Sequence, residues 1–230
     1  MRKLRVLDLG HLDWREAFRL QETYAEERKQ GLESDILLLV EHPHVVTMGR
    51  NGNESNLLAS PELLRRSGIA FYETNRGGDV TYHGPGQVVG YPIFDLRDWK
   101  RDVGAFVRAV EEVLIRSLAA FGVVAERVSG KTGVWVNGAK VAAIGIHLSR
   151  WVSSHGFALN HETSLQYFGY IVPCGLPDPV CSLESLGMHV SRDAVCAEIV
   201  RHFVDVFEFH AVETIQSPAA PVRCVASEAT

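Results

Sequence analysis

Apolar positions along the chain alternate between a helical and a strand period. Trp14, Ala17, Phe18, Gln21, Tyr24 and Ala25 share one helical face, Asp13 and Glu16 form a capping-box pair before them, and Gly31 sits where that helix should stop. Ser60-Pro61 opens and Gly68 closes a short second helix. Asp102 to Phe121 puts Val103, Phe106, Val107, Val110, Leu114, Leu118 and Phe121 on one stripe, and Ser191 to Glu208 predicts a fourth helix. Between these lie strand patterns at Leu4–Leu9, Ile36–Val40, Val45–Met48, Phe71–Thr74, Val88–Phe94 and Val123–Val128. Helices interleaved with strands predict an α/β or α+β domain.

The strongest local prediction is a hairpin. Asn137-Gly138 between Val134-Trp135-Val136 and Ala139-Lys140-Val141 favours a two-residue turn, pairing Val136 with Ala139 and Trp135 with Lys140. Regular alternation then sets Lys140 on one face with Ala142, Ile144, Ile146 and Leu148. A lysine there either snorkels to water from the hairpin mouth or serves a site, and the second reading needs a partner.

Composition narrows the class. The 230 residues are 46% hydrophobic, with no linker-like stretch, so residues 1–216 are expected to form one domain and 217–230 a loose tail. No segment approaches the roughly 20 apolar residues of a membrane span, and the N-terminus alternates charged with apolar residues, so a cytoplasmic protein without membrane attachment is expected. A net charge of −5 argues against general nucleic-acid binding. Cys174, Cys181, Cys196 and Cys224 form no C-x-x-C pair, which favours reduced thiols.

Candidate chemistry concentrates in Arg76–Gln87, R-G-G-D-V-T-Y-H-G-P-G-Q. Its four glycines let backbone approach a ligand closely, with Arg76, Thr81, Tyr82 and His83 as polar handles. Cys174 lies in Pro173-Cys174-Gly175-Leu176-Pro177, a thiol among turn residues that would hold it on an exposed loop, whereas Cys181 has an ordinary apolar setting. Other motifs fail. Ala125–Thr132 fits a relaxed phosphate-loop pattern but precedes a hairpin rather than a helix, and Gly84-Pro85-Gly86 lacks dinucleotide spacing. His42-Pro43-His44 reads as a polar turn, not a metal site.

Together these residues resemble the lipoyl(octanoyl) transferase family. The resemblance runs from Glu41-His42-Pro43 and Thr47-Met48-Gly49-Arg50 through Arg76–Gln87, Gly138–Gly145 and His155–Asn160 to Pro173-Cys174-Gly175. It implies a single domain like the catalytic domain of biotin and lipoate ligases, with a largely antiparallel sheet flanked by helices. It also implies transfer of an octanoyl group from acyl carrier protein to a lysine of lipoyl domains, those of 2-oxoacid dehydrogenase E2 subunits and the glycine cleavage H protein. Position by position, Cys174 becomes the acyl-thioester nucleophile and Lys140 its partner. Arg76, Gly77, Gly78, Asp79, Val80, Thr81, Tyr82 and His83 line the acyl pocket with Ala143, Ile144, Gly145, Gly156, Phe157 and Ala158. No cofactor or metal is implied. Asp79, His44 and Cys181 depart from the family pattern, where Gln, Pro and Thr are more familiar, and Cys181 would compete with Cys174 for a thiol reagent.

Two other functions fit parts of the sequence: an ATP-dependent lipoate or biotin-type ligase, and a non-catalytic acyl-binding module. A ligase must activate a free acid and has no use for a thiol nucleophile, whereas a thioester donor is already activated. For the transferase, tetrahedral-oxyanion donors are expected from amides near Cys174 and Gly175 and from the loop around Gly77, Gly78 and His83. Arg65, Arg66, Arg97, Lys100, Arg101, Arg127 and Lys131 are the cations available to dock an acidic carrier.

Overall fold

The computed structural model describes residues 2–172 and 178–216. Cys174 lies outside the described residues. Among those described, eight strands form one sheet: β1 (Lys3–His11), β2 (Asp35–Glu41), β6 (Gln87–Ile93), β7 (Glu126–Val128), β8 (Lys131–Val136), β9 (Ala139–Ser149), β10 (Val152–Asn160) and β11 (Ala211–Gln216). Their spatial order is β11-β1-β2-β6-β10-β9-β8-β7. The β11–β1 and β1–β2 pairs are parallel and every other neighbouring pair is antiparallel. A smaller sheet sets β3 (Val45–Met48) between β4 (Ala70–Glu73) and β5 (Val80–His83). This is the expected largely antiparallel α/β architecture.

Helices cover the large sheet as their apolar stripes require. One face carries α1 (Trp14–Gln30), whose Ala17 and Ala25 pack on Leu7, Ile36, Leu38 and Val40. The other carries α3 (Val103–Ala119) and α4 (Arg192–Phe207), which bury Phe106, Val110, Leu114, Ile199 and Phe203 against Leu37, Leu39, Phe157 and Leu159. The ends follow the predicted signals. Gly31 takes the left-handed conformation that closes α1, and Ser60, Asp102 and Ser191 cap α2 (Pro61–Arg66), α3 and α4. Asp13 caps α1 through Arg15 N–H, one residue earlier than a capping box would place it. In α3 the buried face is rotated from the predicted stripe: Val103 is 46% exposed, and Ala109, Val113 and Ser117 are buried instead. The strand expected at Val123–Val128 shrinks to its last three residues, with Val124 almost wholly in solvent. No described helix is long and apolar enough to cross a membrane.

The hairpin forms with the predicted partners, Val136 opposite Ala139 and Trp135 opposite Lys140, around Asn137 and Gly138 with positive φ. The next pair is Val134 with Ala142, so Val141 is an extra residue, a β-bulge in β9. A bulge reverses side-chain parity beyond it. Val141 and Ala142 are both completely buried in the α3/α4 core, which Ile144, Ile146 and Leu148 continue. Lys140 therefore does not share their face, as simple alternation predicted. It lies on the opposite one, with Ala143.

That opposite face is hollowed by short side chains. Across β9 and β10, Ala143 pairs with Ala158 and Gly145 with Gly156. A Cβ on Gly156 would stand 2.0 Å from Gly90 O, and one on Gly145 would stand 2.9 Å from Gly77 O, so neither position admits a side chain without moving backbone. Gly156→Ala should lower the unfolding free energy by about 2–3 kcal/mol, read as a lower urea midpoint at unchanged slope, because overpacking against backbone has nowhere to relax.

Candidate active site

The space left by these residues is closed by the small sheet. Thr47 from β3 and Thr81 and His83 from β5 face Ala143, Gly145, Gly156 and Ala158, with Trp14, Arg76, Tyr91 and His155 at the sides. The cavity's empty volume, mouth included, is about 510 Å³. A second cavity of about 320 Å³ shares Thr81, Ala143 and Ala158 with the first and reaches Lys140 and Asn160. Ile144 and Phe157 also line the first cavity, although the Phe157 ring stacks on Phe203 in the opposite core.

The glycine-rich run divides by strand parity. It was expected to act as a loop, yet Val80–His83 is the strand β5, so Thr81 and His83 meet the cavity while Val80 and Tyr82 fill the small sheet's own core. Tyr82 bonds His44 there. Asp79 turns away as well, accepting from Asn53 N–H at 3.0 Å and from the Asn56 side-chain amide. Gly77 lies outside this cavity, its N–H donated to Ile146 O at 2.9 Å, and lines an outer groove of about 930 Å³ with Gly78, Val103, Lys131 and Lys140. Arg76 is buried and donates to Thr47 O at 2.7 Å, Thr47 Oγ1 at 3.0 Å and Gly77 O at 3.1 Å. Trp14, Thr47, Tyr91 and His155 are lining residues that the pattern of the chain did not single out. They come from four separate elements; Thr47 and His155 fall within segments that carry the family resemblance, whereas Trp14 and Tyr91 read as ordinary helix and strand core.

One chain of hydrogen bonds sets a proton position. Cys181 O can only accept, so Asn160 donates to it through Nδ2 at 3.0 Å and accepts through Oδ1 from Gln87 Nε2, also at 3.0 Å. Gln87 Oε1 then accepts from His83 Nδ1 at 2.8 Å. In the neutral ring this leaves His83 Nε2 as an acceptor. Neither His83 nor the Gly77 amide is thus free to donate to an oxyanion, which leaves Gly78 of the three residues expected there. His42 donates from Nδ1 to Leu12 O at 2.7 Å and accepts from Tyr91 OH at 2.8 Å.

Burial keeps these imidazoles neutral. It pulls the pKa of His83 down to about 3, helped by His42, and that of His155 to about 3, helped by the Arg76 cation. Burial also lowers His42 to about 4 and pushes the Tyr91 phenol upward. The Cys181 thiol, buried with its Sγ 3.7 Å from Ala139 O, is raised to about 11 by desolvation. At neutral pH burial makes it a poor thiolate.

Lys140 is only 8% exposed, so it does not snorkel. Its ammonium lies 4.8 Å from the centre of the Trp135 ring. Its backbone holds the chain that follows the undescribed stretch: Lys140 N–H donates to Pro179 O at 2.8 Å and Cys181 N–H to Lys140 O at 3.0 Å, a parallel bridge with Val180. The candidate docking cations do not form one free patch. Arg66 pairs with Glu62, Arg97 with Asp95, Arg127 with Glu111 and Glu112, and Lys131 with Asp178. Among the described residues no cluster of His, Cys, Asp and Glu could hold a metal ion.

The fold is a mixed α/β domain of the kind found in lipoate protein ligases. A bi-partite lipoate protein ligase from Thermoplasma acidophilum superposes with a TM-score of 0.75 at 18% identity, covering 94% of this chain and 88% of that one. The family model of the lipoyl protein ligase A/B catalytic domain matches residues 13–204. An octanoyltransferase of Solibacter usitatus is 59% identical over 91% of this chain and 95% of its own length. One from Koribacter versatilis is 51% identical over 89% and 84%. The chain belongs to the lipoyl protein ligase A/B catalytic family and, within it, to the lipoyl(octanoyl) transferases.

The neutral histidines have a thermodynamic consequence. Unfolded imidazoles titrate near pH 6.5, while His42, His83 and His155 in the fold titrate near 3 to 4, so between these values the unfolded chain binds more protons. Their contribution is complete above the unfolded pKa and is lost as pH falls through it. From about pH 7.5 to about pH 5.5 each should cost about 1.4 kcal/mol, and the three together about 4 kcal/mol. Urea unfolding at the two pH values measures this, and equal stabilities would mean that the imidazoles are solvated.

Proposed function

We propose that the protein transfers an octanoyl group from acyl carrier protein to a lysine amine of lipoyl domains, through a thioester on Cys174 with Lys140 as its acid and base. The observation that carries this reading is a pair of neighbouring cavities that share Ala143, Ala158 and Thr81 in their walls, the second lined by the buried Lys140. The apolar walls of Ala143, Ile144, Phe157 and Ala158 suit a saturated acyl chain, and a lysine beside them suits chemistry at the chain's carbonyl.

A Cys174 thiolate paired with the Lys140 ammonium attacks the donor thioester, and the ammonium gives its proton to the departing carrier thiol. Lys140 is then a neutral amine. An acceptor amine attacks the acyl-enzyme, Lys140 takes the proton lost from the new amide nitrogen, and Cys174 leaves as thiolate, restoring the pair. Ionising an ordinary thiol from ~3% to full thiolate yields at most ~30-fold, about 2 kcal/mol. Positioning of the acyl chain and donors to the tetrahedral oxyanion must supply the larger part. With Gly77 and His83 committed elsewhere, amides near Cys174 and Gly175 become the proposed donors.

Intact-mass measurement after incubation with octanoyl carrier protein tests the assignment. Wild type should gain one octanoyl group and lose it to an added lipoyl domain without ATP. Cys174→Ala should gain none, and Lys140→Ala should form and discharge the adduct more slowly. An undiminished adduct in the cysteine variant refutes the thioester, and product formation that requires ATP favours a ligase.

A further inference from the structure

The outer groove holds an ion pair that the proposed reaction does not use. Lys131, in β8, bonds Asp178 at 2.6 Å, with side chains 35% and 21% exposed. Asp178 begins the run whose Pro179 and Cys181 are bonded to the backbone of Lys140. Only three residues lie between it and Cys174 in sequence, a span of at most about 14 Å. Lys131 also stands on the same indole as Lys140, its ammonium 5.4 Å from the Trp135 ring centre against 4.8 Å for Lys140. Two cations therefore contact one indole, and Asp178 is the carboxylate bonded to one of them.

We propose that Lys131 and Asp178 are positioning residues: their ion pair clamps the 178–181 run against the strand of Lys140 and so fixes the point from which the chain leads back in sequence to Cys174. The inference rests on the Cys174/Lys140 reading for its catalytic consequence and on the hydrogen bonds alone for its structural one. The run is held at Cys181, by Lys140 O and by Asn160 Nδ2, and at Pro179 by Lys140 N–H, and the charge-assisted contact of Asp178 ties its start. Neither residue touches the acyl cavity. Loss of the clamp should thus slow acyl transfer at saturating donor and leave donor affinity unchanged.

Charge reversal tests this. Lys131→Glu and Asp178→Lys should each slow octanoyl adduct formation from a small octanoyl thioester about fivefold in kcat, with KM changed less than about twofold. Amide hydrogen exchange at Lys140 and Cys181 should accelerate in both. The double variant, which restores the pair with reversed sign, should recover both readouts, whereas Lys131→Met and Asp178→Asn should show the losses without introducing repulsion. Single variants with wild-type exchange at both amides overturn the clamp, as does a double variant no better than the singles. Wild-type protein that forms no adduct on Cys174 would instead overturn the catalytic reading, and the exchange measurement would still decide the clamp.

Discussion

One extra residue decides which way Lys140 faces. Val141 interrupts the pairing of β8 with β9, and from that point β9 presents Ala142, Ile144, Ile146 and Leu148 to the helices. Without the bulge the lysine would sit on that helix-facing side, among side chains that offer an ammonium no compensation. With it, Lys140 lies beside Trp135 at the end of the hollow face, and Ala139 and Val141 still fill the core. The bulge reconciles a continuous apolar core with a charged group on the other side of the same strand.

The cavity itself is a consequence of what the sheet lacks. Ala143, Gly145, Gly156 and Ala158 pair across two strands, and Thr47, Thr81 and His83 of the small sheet line the space opposite them, with Gly77 N–H bonded to Ile146 O of β9. The polar groups that enter this space are neutral or internally bonded. His42 and His83 give their Nδ1 protons to protein acceptors, and burial suppresses a second proton on either ring. A low-polarity chamber is thereby maintained by groups that look highly polar in sequence.

Much of this was legible where the signal is local. Helix ends at Gly31, Ser60, Asp102 and Ser191 follow from capping chemistry, and the Asn137-Gly138 turn fixed the Trp135–Lys140 pairing. What escaped depends on tertiary context. A bulge leaves no mark in Lys140-Val141-Ala142, since all three residues fit a regular strand. Val80–His83 looked like a ligand loop because glycines flank it on both sides, yet its pairing with β3 makes it a strand and sends Val80 and Tyr82 away from the cavity. Asp79 and His44, which seemed departures from a family pattern, are explained by partners far along the chain or on another strand. Trp14 and Tyr91 reached the site from helix and sheet positions that read as ordinary core.

The central claim is that a donor's acyl chain occupies the hollow face of β9 and β10 and delivers its carbonyl to Lys140. The most direct measurement is a crystal structure of the protein after reaction with an octanoyl thioester. Acyl carbons lying between Ala143 and Ala158 on one side and Thr81 and His83 on the other, with the carbonyl carbon near Lys140 Nζ, are the predicted result. A chain found instead among Ile144, Ile146 and Leu148, or in the outer groove beside Val103, would contradict the account.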